Sequence, residues 1–123
     1  MMLINEIFPA VESASRAWRM AFNSGDLIGF SAFYEKNAVL HISPFGSYSG
    51  VDEIKAFWQS LIDQDLKVLE YFGIQMTRVA GDQIILRGSW TMNKASGLIH
   101  KELWALQDNG YVLMREAELE AVV

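Results

Sequence analysis

Two ionisable residues, His100 and Glu102, stand two positions apart in a run that otherwise reads as strand: Leu98-Ile99-His100-Lys101-Glu102-Leu103-Trp104-Ala105-Leu106-Gln107. Alternate side chains of an extended strand share a face. Leu98, His100, Glu102, Trp104 and Leu106 then point one way, and Ile99, Lys101, Leu103, Ala105 and Gln107 the other. A strand that only fills a core has no use for two titratable groups, because an unpaired charge is costly to bury. A solvated strand has no use for Trp104. The pattern predicts the wall of a pocket. Apolar surroundings would keep the Glu102 carboxyl protonated, as a hydrogen-bond donor or an acid. His100, which ordinarily titrates near neutrality, would be its proton-transfer partner. The alternative is a structural ion pair between the two at the rim of a sheet.

Trp18, Trp58, Trp90 and Trp104 come from four separate segments, and Phe57 stands beside Trp58. Tryptophan is seldom buried completely and its N–H seeks a partner, so converging indoles with a few polar groups predict a ligand pocket as readily as a packed core. Tyr34 is a candidate hydroxyl donor to the same space. Strict alternation from Ile42 puts His41 on the outer face of its strand, unless the adjacent loop bends it inward. Glu116, Glu118 and Glu120 alternate along the last strand and read as a solvated face. His41, His100 and Glu102 have no metal-ligand spacing, and no metal or other cofactor is expected. Gly50-Val51-Asp52 opens a helix without the glycines of a phosphate loop, and there is no Ser/His/Asp arrangement.

These residues sit in a chain of 123, the length of one domain spanning 1–123. It is 51% hydrophobic and 12% aromatic, enough for a substantial core. A net charge of −5 argues against nucleic acid and anionic membrane surfaces as partners. The absence of cysteine removes disulfides, thiolate metal sites and a cysteine nucleophile, and accords with a cytoplasmic location. Asn5, Glu6 and Glu12 stand where an apolar run preceded by basic residues would be needed, so no signal peptide is expected, and no apolar run is long enough to span a bilayer.

The elements that must position the candidates follow from periodicity. Ile4, Ile7, Phe8, Val11, Ala14, Trp18, Ala21 and Phe22 form one stripe of a helix over about residues 5–23, closed by Gly25. Asp26 caps a second, short helix with the stripe Leu27, Phe30, Phe33 and Tyr34. Residues 38–42 read as a strand and 43–47 as a loop. Gly50 precedes a third helix, with Asp52 and Glu53 in its first turn and the stripe Ile54, Phe57, Trp58 and Leu61. Residues 66–79, 83–92, 98–107 and 111–120 are four strands separated by turn signals. Helices followed by an antiparallel meander make the fold class α+β, a curved, mainly antiparallel sheet wrapped around N-terminal helices.

Residues 18–58 resemble the nuclear-transport-factor-2-like superfamily, which includes ketosteroid isomerases and SnoaL-like cyclases. The resemblance rests on Ala21-Phe22-Asn23-Ser24-Gly25-Asp26-Leu27, on Phe33-Tyr34-Glu35-Lys36-Asn37-Ala38-Val39-Leu40-His41, on Phe45-Gly46-Ser47-Tyr48-Ser49-Gly50 and on Glu53-Ile54-Lys55-Ala56-Phe57-Trp58. It implies a cone-shaped, cystatin-like α+β barrel whose open end admits a small apolar molecule. It also implies a homodimer through the outer sheet face, where Ile99, Leu103, Ala105, Ile85 and Thr91 would supply the apolar surface. The isomerases' oxyanion-hole tyrosine falls at Trp18, their general-base aspartate at Ile42 or Ser43, and their protonated aspartate at Glu102. Their aromatic pocket residues fall at Phe57, Trp58 and Trp90, and Met114 and Glu116 are aimed at the cavity. Three functions are compatible with this reading: an acid–base enzyme of isomerase, cyclase or dehydratase type, a non-catalytic small-molecule binding domain, and a pure assembly domain.

Overall fold

The computed structural model describes residues 6–122, so Ile4 of the predicted stripe lies outside the described residues. Helix α1 (Ile7–Asn23) buries Ile7, Val11, Trp18 and Phe22, the stripe read from the sequence. Gly25 ends it in the left-handed region at φ 78°, where glycine carries no steric penalty. The Asp26 side chain then accepts from Gly29 N–H at 2.9 Å and starts α2 (Leu27–Ser31). Helix α3 (Val51–Asp63) buries Ile54, Phe57, Trp58 and Leu61.

The strands are β1 (Tyr34–Ser43), β2 (Gly46–Ser49), β3 (Glu70–Ala80), β4 (Gln83–Thr91), β5 (Ser96–Leu106) and β6 (Val112–Val122). They form one curved, unclosed sheet in the order β2-β1-β6-β5-β4-β3. Every pairing is antiparallel except β1 with β6, which is parallel. Two expectations are corrected. Tyr34 opens β1 rather than closing α2. The predicted loop at 43–47 is a tight turn whose second half is already β2, pairing back on β1 from Gly46 opposite Ile42.

The three helices pack on the inner face. Their rings meet there with that of Tyr34 from β1: Trp18 lies 5.0 Å from Phe30, 5.6 Å from Trp58 and 6.4 Å from Tyr34, centroid to centroid.

Two irregularities decide which side chains face that core. Between β5 and β6, Ile99 is opposite Leu119 but Lys101 is opposite Glu118, so His100 is an extra residue, a β-bulge. A one-residue insertion exchanges the two faces of a strand. Gly97 and Ile99 point inward before the bulge, and Glu102 and Trp104 after it. Leu98 and His100 are thrown outward. This overturns the single face predicted for Leu98, His100, Glu102 and Trp104. It also moves Ile99 into the core, and Ala105 is buried as well, so neither is surface for an apolar interface. The outer face instead carries Leu103 and Lys101 beside the row Glu116, Glu118 and Glu120. Any pairing of two copies across it must accommodate charge at its centre.

The second irregularity is a close approach. Trp90 on β4 extends its indole across Gly97 of β5 and donates Nε1–H to the Glu120 carbonyl on β6 at 3.2 Å. A Cβ on Gly97 would lie 1.8 Å from that carbonyl oxygen and 2.7 Å from the indole nitrogen. Gly97→Ala should therefore cost about 3 kcal/mol in chemical denaturation, the range of an overpacked core. Gly81→Ala, where nothing lies within 4 Å of the added atom, should stay within about 0.5 kcal/mol of the parent. Equal stability of the two variants would contradict this account of the Trp90 seat.

Candidate functional site

Glu102 is the one acidic or basic side chain in the buried core among the described residues, at 1% exposure. It is held on both oxygens. Tyr71 on β3 donates its hydroxyl to Oε2 in a short hydrogen bond. Trp104, two residues along β5, donates Nε1–H to Oε1 at 3.1 Å. Burial raises the carboxyl above the ordinary glutamate range. The Tyr71 and Trp104 hydrogen bonds and the positive charge of Arg19 pull it partly back. Burial, followed by the Glu102 charge, pushes the Tyr71 hydroxyl well above its usual value. Arg19 reaches this group from α1. Its guanidinium stacks over the Tyr71 ring at 4.5 Å and donates to Ser15 Oγ at 2.7 Å.

Three more polar groups are buried close by without a hydrogen-bond partner: Trp18 Nε1, Trp58 Nε1 and the Tyr34 hydroxyl. The two indole N–H groups lie beside the Tyr34 oxygen without reaching hydrogen-bond geometry. Burial, and then the nearby Glu102, push the Tyr34 hydroxyl well above its usual value. The interior of the cone is thus a block of aromatic rings with one carboxyl inside it.

A cavity of about 160 Å³ opens beside that block. Its walls are hydrocarbon and rings: Phe57, Trp58 and Leu61 of α3, Trp90 of β4, Ile42 of β1 and Leu119 of β6 among them. Leu66, Leu69, Met92 and Ala95 stand on the two connections that flank it. Tyr71 lines the cavity and also holds Glu102, so it joins the cavity to the buried carboxyl. Among the described residues Lys94 is the only charged one in the wall, and its ammonium is bound to Asp65 at 3.3 Å.

The connection from α3 to β3 is fixed by two asparagines. Asn23 accepts from Leu69 N–H at 2.7 Å and donates to the Leu69 carbonyl at 3.0 Å. Asn93 accepts from Lys67 N–H at 2.9 Å and donates to the Asp65 carbonyl at 2.8 Å. These bonds hold Asp65 and Val68 at φ 61°, a setting that aspartate tolerates and that is strained for the β-branched Val68.

The sequence candidates divide accordingly. Phe57, Trp58 and Trp90 line the cavity. Trp18, Tyr34, Trp104 and Met114 are core residues behind it. Glu102 faces inward as expected but lies behind Tyr71 and outside the cavity wall. His100 is not its partner. The bulge turns it to the outer face, where Nε2 meets Glu120 Oε1 at 2.9 Å. His41 is also on the outer face, with Nδ1 2.6 Å from Ser47 Oγ. Glu116 lies on that face too and accepts from Lys101 at 3.1 Å. Ile42, where the resemblance puts a general base, contributes hydrocarbon to the wall. Tyr71 was missed. Its signal was the alternation of Leu69 and Tyr71 with Glu70, obscured by Phe72 and the break at Gly73.

The sequence model of a SnoaL-like domain matches residues 15–107. No curated protein matches the sequence. Among solved structures, an uncharacterised cystatin-like protein from Caulobacter vibrioides superposes with a TM-score of 0.82 at 14% identity, covering 96% of this chain and 91% of that one. A ketosteroid isomerase-like protein from Erwinia carotovora atroseptica gives 0.78 at 19% identity, covering 97% and 98%. A nuclear-transport-factor-2-like protein of unknown function from Shewanella oneidensis gives 0.78 at 15%, covering 92% and 98%. At such identities the likeness is one of fold.

The buried carboxyl makes a pH prediction. Its folded-state pKa lies above the unfolded value, so between the two the folded chain holds the extra proton. The stability tied to that proton is fully present below the ordinary glutamate range and is lost as pH rises through the folded pKa. Glu102→Gln mimics the neutral acid and removes the dependence. As pH rises past the ordinary glutamate range, the wild type should lose unfolding free energy relative to Glu102→Gln. A difference that stays flat with pH would contradict the assignment.

Proposed function

The chain belongs to the SnoaL-like domain family, and from that premise we propose that it binds a small apolar molecule in the cone cavity. One observation carries this reading: a cavity walled almost wholly by hydrocarbon and rings, with Tyr71 as its link to a buried carboxyl. An apolar pocket with few polar groups is the common form of a small-molecule site. No helix among the described residues is long and apolar enough to cross a membrane.

The Tyr71–Glu102 pair supports a second, catalytic reading. While Glu102 is ionised, the Tyr71 hydrogen is committed to it. When Glu102 is neutral, its own O–H donates to Tyr71, and the Tyr71 hydrogen is free for an oxygen on a bound molecule. The pair then polarises a ligand carbonyl, as an oxyanion-type donor does. Among the described residues the wall offers no carboxylate or imidazole to act as a separate base, and Lys94 is held by Asp65. The chemistry open to the site is carbonyl polarisation by one donor pair, with water as the base that takes the Cα proton of a β,γ-unsaturated cyclic ketone and returns a proton at Cγ.

Two measurements separate the readings. Titration with a neutral cyclic ketone should shift the indole N–H resonances of Trp58 and Trp90, and Tyr71→Phe should change the affinity by less than about tenfold, the worth of one neutral hydrogen bond. No indole shift at any concentration would overturn the binding reading. With a β,γ-unsaturated cyclic ketone, the catalytic reading expects conjugation of the double bond to slow by about 10²–10⁴-fold in Tyr71→Phe. Equal rates in both proteins would leave a binding domain without turnover.

A further inference from the structure

We infer that the cavity takes a neutral compound built on a single ring with short substituents, and rejects fused three- and four-ring compounds and organic anions. This deepens the binding reading above and rests on it.

The size limit comes from walls that cannot retreat. The cavity holds about 160 Å³. An apolar cavity of about 150 Å³ accommodates one benzene-sized ring. The floor is Trp58, and three rings back it: Trp18 at 5.6 Å, Phe22 at 5.3 Å and Phe30 at 5.4 Å. All three are at most 2% exposed, so Trp58 has no space to swing into. The opposite wall is Trp90, tied by its indole N–H to the Glu120 carbonyl across Gly97. The connection carrying Leu66 and Leu69 is held at both ends by Asn23 and Asn93. The deeper part of the cone, where a longer ligand would extend, is filled by Trp18, Tyr34 and Trp104. Close-packed interiors of this kind yield only at a cost in strain.

The charge limit comes from the same walls. An anion in the cavity would be stripped of water and given no counter-charge, which is prohibitive for an isolated carboxylate. Lys94 does not supply a buried one: its side chain is more than half exposed and bonded to Asp65 at 3.3 Å, so its charge sits in water and is screened. A single hydroxyl or carbonyl is tolerated, since Tyr71 lines the wall and can exchange hydrogen bonds with it.

Calorimetric titration of the full chain with four probes tests both limits: p-cresol, cyclohexanone, benzoate and hydroxyphenanthrene. The expected order is binding by p-cresol and cyclohexanone, with benzoate and hydroxyphenanthrene weaker by about a hundredfold or more, a loss of about 2.8 kcal/mol. Hydroxyphenanthrene binding as tightly as p-cresol would overturn the size limit and leave the binding reading standing. Benzoate binding as tightly would overturn the charge limit in the same way. Failure of every neutral probe, large or small, would overturn the inference together with the binding reading beneath it.

Discussion

A carboxyl enclosed by aromatic rings is the constraint on which this structure turns. An isolated carboxylate cannot be buried without heavy cost, and neutral acids and hydrogen-bonded ones can. Glu102 meets the constraint on both counts. Tyr71 and Trp104 satisfy its oxygens, and its burial favours the proton. The partners come from β3 and from β5 itself, so the strand order and register of that half of the sheet are needed to build the group. The ring cluster that encloses it comes from α1, α2, α3 and β1. One of those rings, Trp58, is also the floor of the cavity, so the acid's environment and the ligand's space share a wall.

Much of the architecture was legible because it obeys simple periods. The stripes of α1 and α3 bury the residues their spacing designates, and the Gly25-Asp26 junction caps one helix and starts the next. Glu102 was legible as an odd residue, a carboxyl on an otherwise apolar face. What failed was phase. Strict alternation through residues 98–107 joins His100 to Glu102, and one bulged residue separates them onto opposite faces. Nothing in the local sequence marks that bulge, because it is fixed by pairing with β6. The same flip removed Ile99 from the outer face.

Tyr71 illustrates a different limit. Its importance comes from where β3 lies relative to β5, two strands apart in the sheet, with β4 between them. A period within one strand cannot report that relation. The indoles show the opposite error: all four are buried in the core, yet only Trp58 and Trp90 line the cavity, while Trp18 and Trp104 fill the space behind it. Composition announces a ring-rich interior but not which rings border space. In this chain the cone is mostly plugged by its own side chains, which leaves a compact cavity at its open end.

The central claim, that the interior holds a carboxyl raised above the ordinary glutamate range and coupled to the cavity through Tyr71, is best tested on the acid itself. Carbon-detected NMR can follow each glutamate side-chain carboxyl as pH is raised, in the wild type and in Tyr71→Phe. The account predicts that Glu102 titrates above the ordinary glutamate range and moves higher still in Tyr71→Phe, because the lost hydrogen bond favoured the ionised form. A Glu102 that titrates together with the exposed glutamates, or that is indifferent to loss of the Tyr71 hydroxyl, would contradict it.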